Sequence, residues 1–322
     1  MTTYNEVFDE KQYRSVNLSA VQKYLDLNVS AALPRIPTAI FDAYEFLQPS
    51  IDEATGAVAG VDYVEDDTPM SAMHEHEVIE LYVHQGIIKV RNQDIWKYGD
   101  ALLADKYEAK IDHLVKTIDD AAFHGPKSKT GLQIAQGLIG QLTPLPNISS
   151  LDGHDLSGKG EIWEVIKEMI LDIPLAMRQS GPPMKMYINE KTISEAKSPE
   201  RIYQDKIEWD FIYDQFIGPM APKSQKIGEV IITNKINAES EDAYSLLHAS
   251  ANGYQTADTL GTTGRILIVV PDTRWGGIIE SAGFHKVYEY KKAMSVDMMF
   301  GWHGKAQVLD GDAWNYSEAL TF

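Results

Sequence analysis

The chain has 322 residues, of which 44% are hydrophobic and 24% charged, a composition typical of a globular fold with one large or two moderate domains. It contains no cysteine, which excludes disulfides, thiolate metal sites and cysteine nucleophiles. The formal net charge of −18 disfavours nonspecific nucleic-acid binding, and no apolar run reaches the ~18 residues that a membrane span needs. The polar N-terminus lacks the pattern of a secretion signal, so we expect a cytoplasmic protein or a particle assembled there.

The first segment, residues 1–55, lacks long periodicity, and Pro34, Pro37 and Pro49 favour an extended backbone. A leader of this kind has too little core of its own. We therefore predict an arm that lies across another surface, either of its own domain or of a neighbour.

Residues 56–92 alternate in polarity and predict a long hairpin with a loose tip around residues 66–76. Its strands fall near Val58–Val64 and Ile79–Val83, and the second continues to Val90. A two-stranded hairpin alone is marginally stable, so we expect it to dock on another subunit. Its acidic character predicts a cationic docking surface or a bridging divalent ion. The residues expected at this contact are Glu65, Asp66, Asp67, His74, His76, Glu80 and Tyr82.

Residues 98–125 predict one long amphipathic helix, roughly 40 Å at about 1.5 Å per residue. Its apolar stripe is Leu103, Tyr107, Ile111, Leu114, Val115, Ile118 and Ala122. Charged residues, Asp119 and Asp120 among them, are expected on the other faces, and Gly125 followed by Pro126 marks the end.

The remainder predicts a mixed domain. A second amphipathic helix covers Glu161–Ile173 and ends at Pro174, and a strand covers Met184–Ile188. Two short apolar runs, Val230–Ile232 and Ile266–Val270, predict buried strands. Residues 237–264, between them, predict a polar surface loop. Two extended segments, Val287–Phe300 and Ala306–Leu309, are predicted near the end of the chain. Because helices and strands do not alternate strictly, the predicted class is α+β.

Two motifs point weakly to chemistry. The run Gly153–Gly160 is close to a phosphate-binding loop, but Gly160 stands where Mg²⁺ binding needs Ser or Thr, so a flexible loop before the helix is favoured. His74 and His76 fall on one face of a strand, where a metal would require a third ligand from a partner, so a polar hairpin tip is favoured. We predict no catalytic, cofactor or metal residues, and no enzyme.

The order of these elements resembles that of tailed-virus major capsid proteins of the Hong Kong 97 fold, which encapsulin shells share. The likeness rests on the layout and on diffuse motifs over residues 30–322: the helix end Asp119–Gly125, Gly137-Leu138, the strand and short helix of 183–196, and the tail Asp310–Trp314.

The resemblance implies an N-terminal arm (1–55), an extended hairpin called the E-loop (56–92), and a peripheral domain with a spine helix (93–144). It further implies an axial domain (145–290) and a return to the peripheral domain (291–322). The implied function is a subunit of an icosahedral virion capsid, assembled in the host cytoplasm as pentamers and hexamers around double-stranded DNA. DNA contact would be nonspecific and on the inner face, with portal, scaffold or decoration proteins as further candidate partners.

An encapsulin-like protein nanocompartment is the alternative, and a soluble hydrolase or transferase is a third hypothesis that a monomeric state would favour. Some relatives cross-link an E-loop lysine to a partner asparagine. Here Lys89, at the base of the hairpin, is the only lysine between Gly56 and Val90. We therefore expect no covalent mesh, and we also expect no removable scaffolding segment.

Overall fold

The computed structural model describes residues 29–37, 45–51, 74–91, 93, 97, 112–126, 134–142, 156–237, 264–291, 295–320 and 322. In these residues the strands form two four-stranded and two two-stranded sheets. Together with the helices they give an α+β architecture, as predicted. In the part of the chain described, no helix is long and apolar enough to span a membrane.

The long predicted helix is described over residues 112–124 and is called α1 here. Leu114, Val115, Ile118 and Ala122 are buried, as the apolar stripe predicts. Helix α1 ends at Gly125, whose N–H donates to the carbonyl of Ala121 at 2.9 Å. Residues 98–111, the first part of the predicted helix, lie outside the described residues.

The first sheet combines strands from both ends of the chain, namely β1 (Arg35–Pro37), β4 (Tyr82–Arg91), β10 (Gly276–Lys291) and β11 (Ser295–Val308). Their order in the sheet is β1-β10-β11-β4. Strand β1 pairs parallel with β10, and β11 pairs antiparallel with both β10 and β4. The extended segment predicted up to Val90 is therefore an edge strand of a sheet that needs the C-terminal third of the chain.

The second sheet contains β5 (Met184–Ile188), β8 (Ile227–Ile232), β9 (Gly264–Val269) and β12 (Trp314–Leu320). Their order in the sheet is β12-β9-β5-β8. Strand β9 is buried throughout, as predicted. The prediction that Val230–Ile232 is buried is wrong: β8 is an edge strand, and Ile232 is 51% exposed.

Five short helices are described after α1, and those at 138–142, 161–172 and 190–196 contact strands of the second sheet. They are α2 (Leu138–Leu142), α3 (Glu161–Asp172), α4 (Leu175–Ser180), α5 (Glu190–Ala196) and α6 (Glu208–Ile212), and α6 continues into a π-helix at Tyr213–Ile217. The predicted helix from Glu161 is confirmed as α3, and its buried residues are those of the predicted stripe: Ile162, Val165, Ile166, Met169 and Ile170.

The main hydrophobic core joins α1, α3 and the second sheet to part of the first sheet. Strand β10 runs from Gly276 to Lys291 and so passes through the boundary predicted at residue 290. Strand β12, which follows that boundary, lies in the second sheet. The small hairpin β6 (Ile202–Tyr203) and β7 (Lys206–Ile207) lies on the surface beside α6.

A separate two-stranded ribbon consists of β2 (Glu45–Ile51) and β3 (His74–Glu80). The predicted pairing of the hairpin is wrong, since residues 74–76 belong to a strand rather than a loose tip and Ile79 lies opposite Phe46. The strand that pairs with β3 is β2, which lies in the segment predicted as an arm. The predicted strand at 58–64 lies outside the described residues. The ribbon leads through Leu81 directly into β4, so it extends from the edge of the first sheet.

Candidate assembly surfaces

The ribbon holds three of the seven residues predicted to contact another subunit. His74 lies opposite Ile51, His76 opposite Pro49 and Glu80 opposite Glu45. Glu80 is exposed, at the end of β3 nearest the first sheet. Glu65, Asp66 and Asp67, the predicted acidic turn, lie outside the described residues.

The root of the ribbon is fixed by a small apolar cluster separate from the main core. Ile79 and Leu81 are buried against Ile279, and Ile36 and Leu309 pack against the three. These residues come from β3, β1, β10 and the segment after β11. The ribbon is thus anchored at one end on its own subunit, and its direction is set there.

A second group of contacts surrounds Trp302, which is 1% exposed and lies opposite His84 in the β4–β11 pairing. The two rings lie 5.4 Å apart. The indole N–H of Trp302 donates to Glu280, which also pairs with Arg35 at 3.3 Å. These contacts connect side chains from all four strands of the first sheet, β1, β4, β10 and β11.

Tyr82 and His84 line a small cavity between β4, β11 and the end of α1. Burial, and next the charge of Glu80, raises the pKa of the Tyr82 phenol. Burial, and to a lesser extent the charge of nearby His303, lowers the pKa of His84 to about 4. The imidazole of His84 is therefore neutral at neutral pH. Neither it nor Trp302 was predicted, because only the strand register brings them together.

Acid is expected to destabilise the subunit through His84. Above pH 6.5 the residue is neutral in both folded and unfolded chains. Between pH 6.5 and about 4 only the unfolded chain binds the proton, so the free energy of unfolding decreases as the pH is lowered. The full loss is about 3 kcal/mol, because each pKa unit of difference corresponds to about 1.4 kcal/mol.

The test compares wild type, His84→Phe and His113→Phe by urea denaturation from neutral pH to pH 4. Phenylalanine keeps a ring beside Trp302 but cannot titrate, so the His84 variant should lose less stability on acidification. His113 is exposed on α1 and serves as the matched control. An unchanged pH profile in the His84 variant would contradict the assignment.

The N-terminal segment is held by a buried carboxylate on α1. A 3-10 helix at Val29–Ala32 directs the N–H groups of Val29 and Ser30 to the two oxygens of Asp119, each at 2.9 Å. Lys185 donates to the carbonyl of Ala32 at 2.8 Å. Residues 29–37 therefore pack on their own subunit. Of the two predicted alternatives for the arm, its own domain or a neighbour, this part of it takes the first.

The prediction that Asp119 lies on a solvent face is wrong, since it is 2% exposed. Burial raises the pKa of its carboxyl, and the hydrogen bonds from Ser30 and Val29 lower it. The neighbouring Asp120, in contrast, is half-exposed and pairs with Lys235. The helical pattern could not distinguish the two, because the partner of Asp119 is a segment about ninety residues away.

Two glycines explain the motif at the end of α1. Gly125 has a φ of +95°, a left-handed conformation that favours glycine. A β-carbon there would overlap the carbonyl of Ala135 and the N–H of Gly137. A β-carbon on Gly137 would in turn overlap the backbone of Phe123 and Gly125. The two chain segments thus touch backbone to backbone, which holds α2 against α1.

The loop before α3, which is close to a phosphate-binding sequence, is occupied by the chain's own groups. The N–H of Gly158 donates to the carboxylate of Glu161 at 2.5 Å. Arg201 donates to the carbonyls of Gly158 and Leu156 and pairs with buried Glu208. A phosphate would have to displace Glu161 from the donor it needs. In the described residues, no three His, Asp or Glu side chains are placed to hold a metal ion.

Comparison with known proteins supplies the deciding observation. No family model matches the sequence, and a search of curated proteins finds no match. Solved structures do match over nearly the whole chain. The capsid of Myoviridae phage XM1 is similar with a TM-score of 0.58 and 14% identity, covering 91% of this chain and 92% of that one. This chain has a Hong Kong 97-like capsid fold.

Two further structures share this capsid fold. The capsid of an empty GTA particle has a TM-score of 0.54 and 11% identity, covering 92% of this chain and 90% of the other. The virus-like particle of Pyrococcus furiosus has a TM-score of 0.51 and 11% identity, covering 95% and 98%. All three are described as capsids or particles, and none as an enzyme.

Proposed function

We propose that this chain is the shell-forming subunit of a tailed-virus capsid, a structural protein rather than an enzyme. The observation that supports it most is the similarity to the XM1 phage capsid over nine-tenths of both chains. A fold match that begins near one end of each chain and finishes near the other is what a subunit with the same architecture would give.

In this proposal α1 is the end of the spine helix. The ribbon β2–β3 with its connection is the E-loop. The sheet β1-β10-β11-β4 belongs to the peripheral domain, and the sheet β12-β9-β5-β8 belongs to the axial domain. Copies would associate as pentamers and hexamers in a closed shell around double-stranded DNA, with portal, scaffold or decoration proteins as candidate partners.

The physical properties of the chain agree with such a role. A two-stranded ribbon is marginally stable alone and gains stability from added surface. Symmetric assembly repeats each such contact in every subunit, so weak contacts suffice for a stable shell. Because the sequence contains no cysteine, disulfide bonds cannot link the subunits.

The deciding experiment is electron microscopy of the purified full chain together with its ultraviolet spectrum. We expect closed particles of uniform diameter, and nucleic acid in those taken from producing cells. Particles that hold protein in place of nucleic acid would favour the encapsulin-like compartment. A monodisperse monomer of 36.0 kDa at high concentration would contradict both. Denaturing electrophoresis should give one band at the subunit mass, because the E-loop has no lysine near its tip.

A further inference from the structure

Residues 29–37, called the strap here, begin on the end of α1 and on the second sheet. The first two N–H groups of the strap donate to the carboxylate of Asp119 on α1, each at 2.9 Å. Its carbonyl at Ala32 accepts from the side chain of Lys185 on β5 at 2.8 Å. The first half of the strap is thus hydrogen-bonded to two separate elements of the subunit.

The second half of the strap lies on the first sheet. The carbonyl of Pro34 accepts from the N–H of Ile278 at 2.8 Å, and residues 35–37 form β1, which pairs parallel with β10. Gly277 permits this approach, because a β-carbon there would overlap the carbonyl of Pro34. Ile36 packs against the apolar cluster that fixes the root of the ribbon. One short segment therefore runs from the second sheet to the base of the ribbon.

The two sheets also meet in the main core, to which the first sheet contributes Ile278, Trp302 and Ala306 as buried residues. Such apolar contacts are non-directional, whereas hydrogen bonds depend on both distance and angle. A segment that is hydrogen-bonded to both sheets therefore fixes their relative position more closely than apolar contact alone.

We propose that the strap couples the position of the second sheet to the direction of the ribbon, so that a shift of one is transmitted to the other. This inference rests on the proposed shell function and goes beyond it by naming the segment that holds the subunit in one shape. Subunits of one shape repeat the same contacts and close into shells of one size. With the strap loosened, the second sheet and the ribbon vary in relative position, and shells of several sizes form.

Hydrogen exchange in the full chain at low concentration tests the coupling. Lys185→Met keeps the aliphatic stem and removes the bond to Ala32, on the side of the second sheet. We expect the amide of Ile278, on the side of the first sheet, to exchange at least about fivefold faster, because a lost hydrogen bond from a charged group loosens the strap. Lys191→Met is the matched control, since Lys191 is similarly exposed and pairs with Glu195 on α5.

Two further variants separate the strap from its surroundings. Glu229→Gln removes the ion pair of Lys185 but keeps the bond from Lys185 to the strap, so exchange at Ile278 should stay near wild type. Arg35→Met removes the ion pair with Glu280 at the other end of the strap. Because coupling is reciprocal, the amide of Ser30 should then exchange faster.

Circular dichroism checks that each variant is folded, and Arg35→Met decides the question if Lys185→Met is not. Unchanged exchange at the far end of the strap in a folded variant would overturn the coupling. Equal acceleration by Lys191→Met would overturn it as well.

Electron microscopy of assembled variants tests the consequence for the shell. Lys185→Met shells should vary in diameter more widely than wild-type shells, and Lys191→Met shells should not. Lys185→Met shells of the wild-type diameter and uniformity would overturn the link between the strap and shell size. If the wild-type chain forms no shell at all, the proposed function fails, whereas the exchange results still decide whether the strap couples the two sheets.

Discussion

Substitution of Gly125 by alanine should destabilise the subunit by about 2–5 kcal/mol. A residue with a β-carbon loses about 1–2 kcal/mol in a left-handed conformation. The φ of Gly125 is +95°, and the added carbon would overlap the backbone of Ala135 and Gly137. Relieving such overlap in packed structure costs a further ~1–3 kcal/mol. Urea denaturation followed by tryptophan fluorescence at low protein concentration measures the change in unfolding free energy.

Gly140→Ala is the matched control. Gly140 lies within α2, where its added β-carbon would meet only the side chain of Gln136, at 3.3 Å. Alanine is favoured over glycine in a helix by about 0.5–1 kcal/mol, which offsets the mild crowding. The control should therefore stay within about 1 kcal/mol of wild type. A similarly small change at Gly125 would show that the two segments can separate without cost.

Asp119→Ala should destabilise the subunit by about 3 kcal/mol, because hydrogen bonds to a charged group are worth about 1.5–3 kcal/mol each and buried donors would lose their acceptor. The N–H groups of Val29 and Ser30 both donate to this carboxylate, and Ser30 is fully buried. Part of that loss is offset, because burial of the carboxylate is itself unfavourable.

Asp120→Ala provides the comparison, since it removes an identical side chain from the next position of α1. Its ion pair with Lys235 is half-exposed, and such pairs contribute about 0–1 kcal/mol. Limited proteolysis adds a second readout: cleavage near residues 29–37 should accelerate in the Asp119 variant and not in the Asp120 variant. Equal stability and equal cleavage in both variants would refute the anchoring role of Asp119.

The sequence predicted those features that depend on neighbouring residues. The stripe Ile162–Ile170 identified α3, and the alternation at Met184–Ile188 identified β5, because each pattern reflects burial of one face of a local element. The end of α1 at Gly125 was also predicted from local signals. The layout of these elements was enough to indicate the capsid-like fold that structural comparison supports.

Features that depend on pairing between distant segments were missed. Nothing local shows that β3 pairs with β2, or that β12 lies beside β9 and not in the first sheet. Asp119 has the pattern of a surface residue, and only the position of Val29 and Ser30 explains its burial. The group around Trp302 was missed for the same reason, since His84 and Glu280 reach it through strand register.

The first sheet also constrains when a newly made chain can complete its fold. Strands β1 and β4 are synthesised early, but they pair with β10 and β11, which lie more than two hundred residues later. Pairing over such separations is slow, because long loops must close first. The ribosome has to release the chain beyond Val308 before Ile79 and Leu81 find Ile279 and Leu309. A chain that ends before Leu309 would therefore lack part of the apolar cluster that anchors the ribbon.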